Sequence, residues 1–467
     1  MSYKGMSVQE FIDRENTDKE ELHSEVREEL RKIEHLNLVR PAEDFSAENN
    51  GGKLNGLPVS LKDCICAKGM ESTAGSKILK DYKPPFDSTV TEKIKERGGS
   101  IIGKTHQDEF GFGTFSTNCA HGTPKNPWDP ERTCGGSSGG AGALAAALDL
   151  PHVAIGESTG GSISNPASFC GVVGLTPTYG VVSRYGLISY ANSLDKIGPL
   201  ARTVEGASLA LDIISGKDHR DQTSVESEGS YKEALDETVE GMKIGVPEEY
   251  LESTDKQIRE QVMKAVKTLE DLGCSYKKVS LPMTEAALPA YYVISMAESS
   301  TNLAKYCGLR YGLEREPEGN YDKYFSKIRS EGFGKEAKRR LMLGTYTRMA
   351  GYREKYYMKA LKVRRKVIQD FKNSFKEVDI LAAPTMPMVA PRFDEIKKLS
   401  SLEIYKLDKL TVPANLSGLP QLSLPCGSKD GMPIGLHLLG DHFQEKKIIK
   451  AASSYEKKRG EISYPEV

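Results

Sequence analysis

The sequence contains no apolar run approaching the roughly 20 residues that span a bilayer, so no transmembrane helix is expected. Its first stretch, MSYKGMSVQEFIDRENTDKEELHSEV, is polar, helical in pattern and without the apolar region of a secretory signal. A cytoplasmic location is the resulting expectation. Net charge is nearly absent: 64 Lys and Arg against 65 Asp and Glu leave −1 at pH 7, and no global basic field draws nucleic acid to the chain. The eight cysteines include no Cys-x-x-Cys pair. Cys64, Cys66, Cys119, Cys134, Cys170, Cys274, Cys307 and Cys426 are scattered, which argues against zinc and, without a secretory signal, against a disulfide framework. Buried structural thiols are expected instead. Internal repeats and low-complexity segments are missing too.

What is present is ordinary for a soluble globular protein: 38% hydrophobic and 28% charged residues. The 467 residues suffice for a deep core, in one large α/β domain or in two or three smaller ones. The first fifty residues read as amphipathic helix and linker, ending in the turn-rich SAENNGGKLNG. LPVSLKDCIC then reads as a buried strand carrying Lys62 and Asp63 at its end. DSTVTEKIKERGG has helical spacing at Val90 and Ile94 and a Gly98-Gly99 stop before the strand SIIGKT. From Gly135 to Pro199 glycine and small polar residues dominate, and long irregular backbone is expected there, anchored by Val172, Val173 and Leu175.

The second half has a regular αβ rhythm. KIGVP is a strand; Ile258, Val262, Val266 and Leu269 share one helical face; Gly273 stops that helix before the strand SYKKVSL. A long basic helix is expected from about Tyr352 to Phe375, its charges solvated and Leu361, Val363 and Ile368 buried. DILAAPT, LSLPCG and PIGLHLLG read as strands, the last two as neighbours, closed by a helix from Glu445. Strands alternating with helices predict an α/β sandwich built on a large mixed sheet.

Two glycine-rich stretches carry the chemistry. TCGGSSGGAGALAAA, from Thr133 to Ala147, has no lysine where a phosphate loop needs one, and it fails the dinucleotide fingerprint. Its hydroxyls, Ser137 and Ser138, point instead to serine chemistry. GESTGGSISNPASFCG, from Gly156 to Gly171, repeats the pattern: Ser162 stands behind Gly160 and Gly161, whose amides could converge on an oxyanion. Serines in such turns are commonly turn formers or helix caps, but two in one folded segment favour a reactive role. A serine nucleophile needs a base. His106, His121 and His152 sit in no Ser-His-Asp signature. Lys62, ending an apolar strand, would be desolvated, which disfavours the ammonium form.

The elements SLKD, CGGSSGGAGA and STGGSISNPASFCGVVGLTPTYG closely resemble the amidase signature family, from about Gly56 to Leu200. The resemblance implies a Ser-Ser-Lys triad: Ser162 as nucleophile, Ser137 as bridging serine with a cis peptide, and Lys62 as base. Thr159, Gly160 and Gly161 would supply the oxyanion hole. It also implies the family's α/β/α sandwich over residues 1–467 as one domain: a helical region at 1–50, the signature core at 56–200, and the remainder at 201–467. Three departures are visible. Ser158 and Ser164 stand where many members have Asp and Arg, the Ser137-to-Ser162 interval is one residue longer (the extra one expected in LDLPHV), and the N-terminal helical region is short.

Within the family, YGVVSRYGLISYANSLDKIGPLAR, LTVPANLSGLPQLSLPCG and the segment from Glu331 to Phe371 are similar to A subunits of aminoacyl-tRNA amidotransferases. That likeness implies a glutaminase in a cytoplasmic heterotrimer with B and C subunits, a carbon–nitrogen ligase of protein biosynthesis. L-glutamine would be held by Arg340 at its α-carboxylate and Asp408 at its α-ammonium, with Tyr291 lining the pocket. No metal or cofactor is implied in this chain. ATP and Mg would be used in the partner subunit, where mischarged Glu-tRNA(Gln) or Asp-tRNA(Asn) is also held. A stand-alone amidase of small amides is the alternative. A third reading is a non-catalytic chain that binds nucleotide or serves only as structure.

Overall fold

A computed structural model describes residues 2–14, 17–45, 52–227 and 229–465. The helical start resolves into two helices, Val8–Ile12 and Lys19–Lys32, the first closed by a capping box at Ser7 and Glu10. Residues 46–51 of the turn-rich stretch that follows lie outside the described residues.

Among the described residues, eleven strands form one sheet. In spatial order they are Val39–Pro41, Ser100–Thr105, Pro58–Lys62, Val153–Ser158, Lys196–Ala201, Val173–Thr176, Gln421–Lys429, Met432–Gly440, Ile380–Pro384, Lys243–Pro247 and Ser275–Val279. The sheet is mixed, as the alternation of elements predicted. Pro58–Lys62 runs parallel to both its neighbours, whereas Gln421–Lys429 and Met432–Gly440 are antiparallel. Helices Gly139–Ala147 and Ser164–Cys170 pack on each other and on the central strands. Helices Val204–Ile214, Lys256–Asp271 and Glu445–Arg459 form a second group on those strands. The sheet is therefore sandwiched. No helix of the described residues is long and apolar enough to cross a membrane.

All nine residues of Gly139–Ala147 are buried, which only alanine, glycine and one leucine permit at so close a helix–sheet approach. The stretch from Gly135 to Pro199 is thus more regular than its composition suggests. It holds two helices and two complete strands, because small residues here serve close packing and not only turns. LDLPHV falls mainly in the connection between Gly139–Ala147 and the strand Val153–Ser158.

The basic helix differs from its expectation. It spans Tyr357–Ser374, and its buried line is Ala360, Val367 and Phe371, while Leu361, Val363 and Ile368 are only half-buried. Arg364 occupies the same line. Its guanidinium donates to the Leu416 carbonyl (2.8 Å), Ser193 Oγ (3.0 Å) and the Ser193 carbonyl (3.0 Å). A charged residue inside the packed stripe displaces the apparent hydrophobic face by one position. The cysteines are all free and mostly buried, as expected.

Helix Lys335–Arg348 crosses helix Thr284–Asn302 at Gly344, where an added Cβ would overlap the Met296 carbonyl. The two helices carry Arg340 and the pair Tyr291–Tyr292, so this crossing fixes their separation. Gly-to-Ala in a helix interior ordinarily gains up to about 1 kcal/mol. Here overpacking should win, and Gly344→Ala is expected to destabilise the chain by about 1–3 kcal/mol, read from its denaturant midpoint.

Candidate active site

Strand Pro58–Lys62 is buried throughout and ends in a lysine. Its parallel register, Leu61 opposite Ile155, brings Lys62 to the end of Val153–Ser158. Ligands of α/β sheets gather beyond such carboxyl ends. Lys62 Nζ donates to Ser137 Oγ (2.8 Å), the Glu157 carbonyl (2.9 Å) and Glu157 Oε2 (2.8 Å). An ammonium has three hydrogens, and each has an acceptor. Sequence reasoning missed Glu157. Its signal was legible: it is the single charged residue of a wholly buried strand, and a buried carboxylate requires a partner.

Ser137 follows a cis peptide bond from Gly136, as the resemblance implied. The two glycine loops are tied together by Ser138, whose hydroxyl donates to the Glu157 carbonyl (2.9 Å) and whose amide donates to the Ser162 carbonyl (3.2 Å). Ser162 lines a small cavity with Gly136, Gly160 and Gly161. Gly161 has φ +137°, and a side chain there would overlap Thr411; a Cβ on Gly160 would stand 2.6 Å from the Tyr291 hydroxyl. The Gly161 amide donates to Ser158 Oγ (3.1 Å). The amides of Gly160 and Ser162 meet no acceptor among the described residues. The Thr159 hydroxyl lies between Glu157 Oε1 (2.7 Å) and Asp195 Oδ1 (2.9 Å). Ser158 Oγ also reaches Asn415 Oδ1 (3.1 Å), and Ser164 Oγ reaches Gln421 Oε1 (3.4 Å). Neutral hydrogen bonds serve both serines, so neither position strands an ion.

Tyr291, Tyr292, Arg340 and Asp408 line the same cavity. Arg340 is 3% exposed. Its Nε donates to Glu336 Oε1 (2.8 Å) and its Nη1 to the Tyr190 hydroxyl (2.7 Å). The rings of Phe112, Tyr292 and Tyr405 surround the guanidinium at 5.2–5.3 Å, a cation–π cage. Asp408 Oδ2 accepts from the Tyr292 hydroxyl (2.7 Å) and Thr114 Oγ1 (3.0 Å). Burial outweighs these bonds and pushes the Asp408 carboxyl up to about 6. No ion pair joins Arg340 to Asp408 among the described residues, so one wall offers separate positive and negative points. Tyr292, Tyr190 and Glu336 are further residues that sequence reasoning did not single out. The histidines are elsewhere: burial pushes His106 down to about 4 and His152 to about 3. They bond to the Asn37 carbonyl (2.9 Å) and Ser60 Oγ (3.0 Å), respectively.

The Amidase family profile matches residues 7–449. The chain belongs to the amidase signature family. Among curated members, the A subunit of glutamyl-tRNA(Gln) amidotransferase from Methanococcoides burtonii is 50% identical over 407 residues, covering 87% of this chain and 85% of that one. Its namesake from Halothermothrix orenii is 46% identical, covering 90% and 89%. The crystal structure of the A subunit of glutamyl-tRNA(Gln) amidotransferase from Thermotoga maritima superposes with a TM-score of 0.86 at 37% identity, covering 100% of this chain and 99% of the other. A peptide amidase of the same fold, from Stenotrophomonas maltophilia, gives 0.79 at 27% identity, covering 97% and 99%.

The raised Asp408 carboxyl carries a stability consequence. A folded value of about 6 exceeds the ordinary 3.8, so the folded state binds the extra proton between those limits and loses stability as pH rises through 6. Asp408→Asn should therefore raise the unfolding free energy at pH 8, by on the order of 1–3 kcal/mol, and by much less at pH 4–5. Denaturant titrations at the two pH values check the sign.

Proposed function

We propose that this chain is the glutaminase A subunit of an aminoacyl-tRNA amidotransferase. The observation that carries the reading is one small cavity lined by Ser162, by Gly136 next to the Lys62-bonded Ser137, and by two oppositely charged amino-acid anchors. The Arg340 fork suits an α-carboxylate and Asp408 an α-ammonium. Ser162 lines the same cavity as both anchors, and Tyr291 closes the wall beside Gly160. L-glutamine meets these demands.

In the reaction, Ser162 Oγ bonds to the side-chain amide carbon of glutamine, while its proton passes through Ser137 Oγ to the neutral amine of Lys62. The carbonyl electron pair moves onto oxygen, which faces the backbone amides around Thr159 and Gly160; Gly161 can join them on releasing Ser158 Oγ. Collapse breaks the carbon–nitrogen bond, and the proton returns from Lys62 through Ser137 to the departing ammonia. A γ-glutamyl ester on Ser162 remains. Water attacks it by the same proton path and releases glutamate. Ammonia then serves the B subunit, which uses ATP and Mg to activate mischarged Glu-tRNA(Gln) or Asp-tRNA(Asn), with the C subunit joining the two. Placing ATP in the partner accords with the glycine loop here, whose GGSSGGAG has no phosphate-binding lysine.

Ser162→Ala should abolish glutamine hydrolysis while ammonia-dependent amidation by the reconstituted complex persists. An Ala variant with near-native glutaminase would remove Ser162 from its role. Full glutaminase turnover by native chain that co-purifies with no partner would favour the stand-alone amidase.

Recognition has its own test. Arg340→Ala or Asp408→Ala should mainly raise the KM for glutamine, by tenfold or more, with ammonia-dependent amidation intact. In the unaltered chain the KM should rise as pH falls below about 6, because Asp408 takes up a proton there and ceases to attract an ammonium. A KM flat between pH 5 and pH 7 would separate Asp408 from the substrate ammonium.

A further inference from the structure

The mechanism leaves one buried group unused. Lys62 must be neutral to accept the proton of Ser137, yet all three hydrogens of an ammonium are matched by acceptors. The third acceptor is the carboxylate of Glu157, itself 3% exposed and in contact through Oε2 at 2.8 Å. Its other oxygen, Oε1, lies 2.7 Å from the Thr159 hydroxyl, which lies 2.9 Å from Asp195 Oδ1. A hydroxyl has one hydrogen. Two carboxylates bonded to it cannot both be plain acceptors, so the second contact requires a proton on one of the acids. Burial and the neighbouring Glu157 carboxylate hold the Asp195 carboxyl well above the usual range, which places that proton on Asp195. Asp195 also accepts from the amides of Tyr190 and Ala191.

From this chain of contacts, and resting on the serine–lysine reading above, we propose that Glu157 is a positioning residue that holds the proton Lys62 must surrender before it can act as base. The transfer is balanced: the Nζ–H bond on Lys62 breaks, an O–H bond forms on Glu157 Oε2, and an ammonium–carboxylate pair becomes an amine and a carboxylic acid. The pair's net charge does not change, so no uncompensated charge is left in the core. Proton loss to solvent, by contrast, would leave the Glu157 carboxylate buried without its counter-ion. With Glu157 in contact the proton has an acceptor inside the core, whereas a lysine without Glu157 becomes a base only after losing its proton to water. Besides Asp195, the ionisable groups near the pair are Asp108 and Cys64 beside Lys62, and Arg184 beside Asp195. Burial pushes the Cys64 thiol far above its usual range, so it stays protonated. Asp108, pushed up to about 6 by burial, is anionic at pH 7, but its oxygens accept from the amides of Ser116 and Asn118, and Lys62 Nζ bonds to Ser137 and Glu157 instead.

The test is the pH–rate profile of glutaminase in the assembled complex. Glu157→Gln keeps the shape and removes the proton acceptor. Its acid limb should move at least one pH unit upward, with kcat at pH 7 down tenfold or more and the KM for glutamine within about twofold. Glu157→Asp keeps a carboxylate but withdraws it by one methylene, and should show a smaller upward displacement in the same direction. That displacement decides the matter alone if the Gln variant does not fold. An acid limb that stays in place or moves to lower pH overturns the proposal, for it would mean that Glu157 only favours the ammonium. Lys62→Ala, measured in parallel, separates the two levels: an active Ala variant defeats the serine–lysine reading itself, whereas an inactive one leaves the decision to the Glu157 variants.

Discussion

The constraint on which this structure turns is a lysine buried at the end of a central strand. A cation out of water costs several kcal/mol unless its hydrogens are matched and its charge is met. Lys62 satisfies both conditions, through Ser137, the Glu157 carbonyl and the Glu157 carboxylate. These partners come from two chain segments held by different means. Strand register delivers Glu157, because Leu61 faces Ile155 in a parallel pair. The glycine loop before helix Gly139–Ala147 delivers Ser137. Sheet and loop must both be in place before the ammonium has its shell, so the chemistry and the stability of the core share the same bonds.

Close approach is the second requirement, and it explains why small residues crowd this part of the chain. The loop carrying Ser162 lies against Thr411 on one side and Tyr291 on the other, and side chains at Gly161 and Gly160 would collide with them. Thr411 in turn donates to the Gly160 carbonyl at 2.9 Å. Tyr291 belongs to helix Thr284–Asn302, which also bears Tyr292 and is crossed by the helix bearing Arg340. Contacts therefore link the serine loop, through Tyr291, to the helices that carry Tyr292 and Arg340.

Much of this was legible in the sequence. The strand ending in Lys62, the two serine-bearing glycine turns, the amphipathic face of Lys256–Asp271 and the two neighbouring strands near the C-terminus follow from spacing and turn residues alone. Regularity between Gly135 and Pro199 was not, since alanine and glycine carry no periodic contrast when every face is buried. Arg364 misled in the opposite way: a guanidinium that bonds to carbonyls inside the protein looks, in a string of letters, like solvated surface. The site divides similarly. Lys62, Ser137 and Ser162 announce themselves through motifs, and Arg340, Asp408 and Tyr291 by resemblance. Glu157, Tyr190 and Tyr292 act through partners far away in sequence, and only the fold brings those partners within reach; Glu336 stands one helical turn before Arg340, a spacing the sequence does offer.

The two ends of the cavity solve one electrostatic problem in different ways. At the base end, the Lys62 charge is neutralised by a carboxylate in contact, so the proton between them can move without changing the net charge of the core. At the other end, Arg340 and Asp408 are kept apart. Arg340 is oriented by Glu336, Tyr190 and a ring cage, and Asp408 by the neutral hydroxyls of Tyr292 and Thr114. Had Arg340 and Asp408 been paired with each other, a ligand would have to break a buried ion pair before binding, at a cost that removal of buried partners puts at about 3–5 kcal/mol. Separation leaves Asp408 with no cation in contact among the described residues, and desolvation pushes its carboxyl up to about 6. On the proposed reading an incoming ammonium would supply the missing counter-charge, and an amide without an α-ammonium would gain nothing from this half-buried acid.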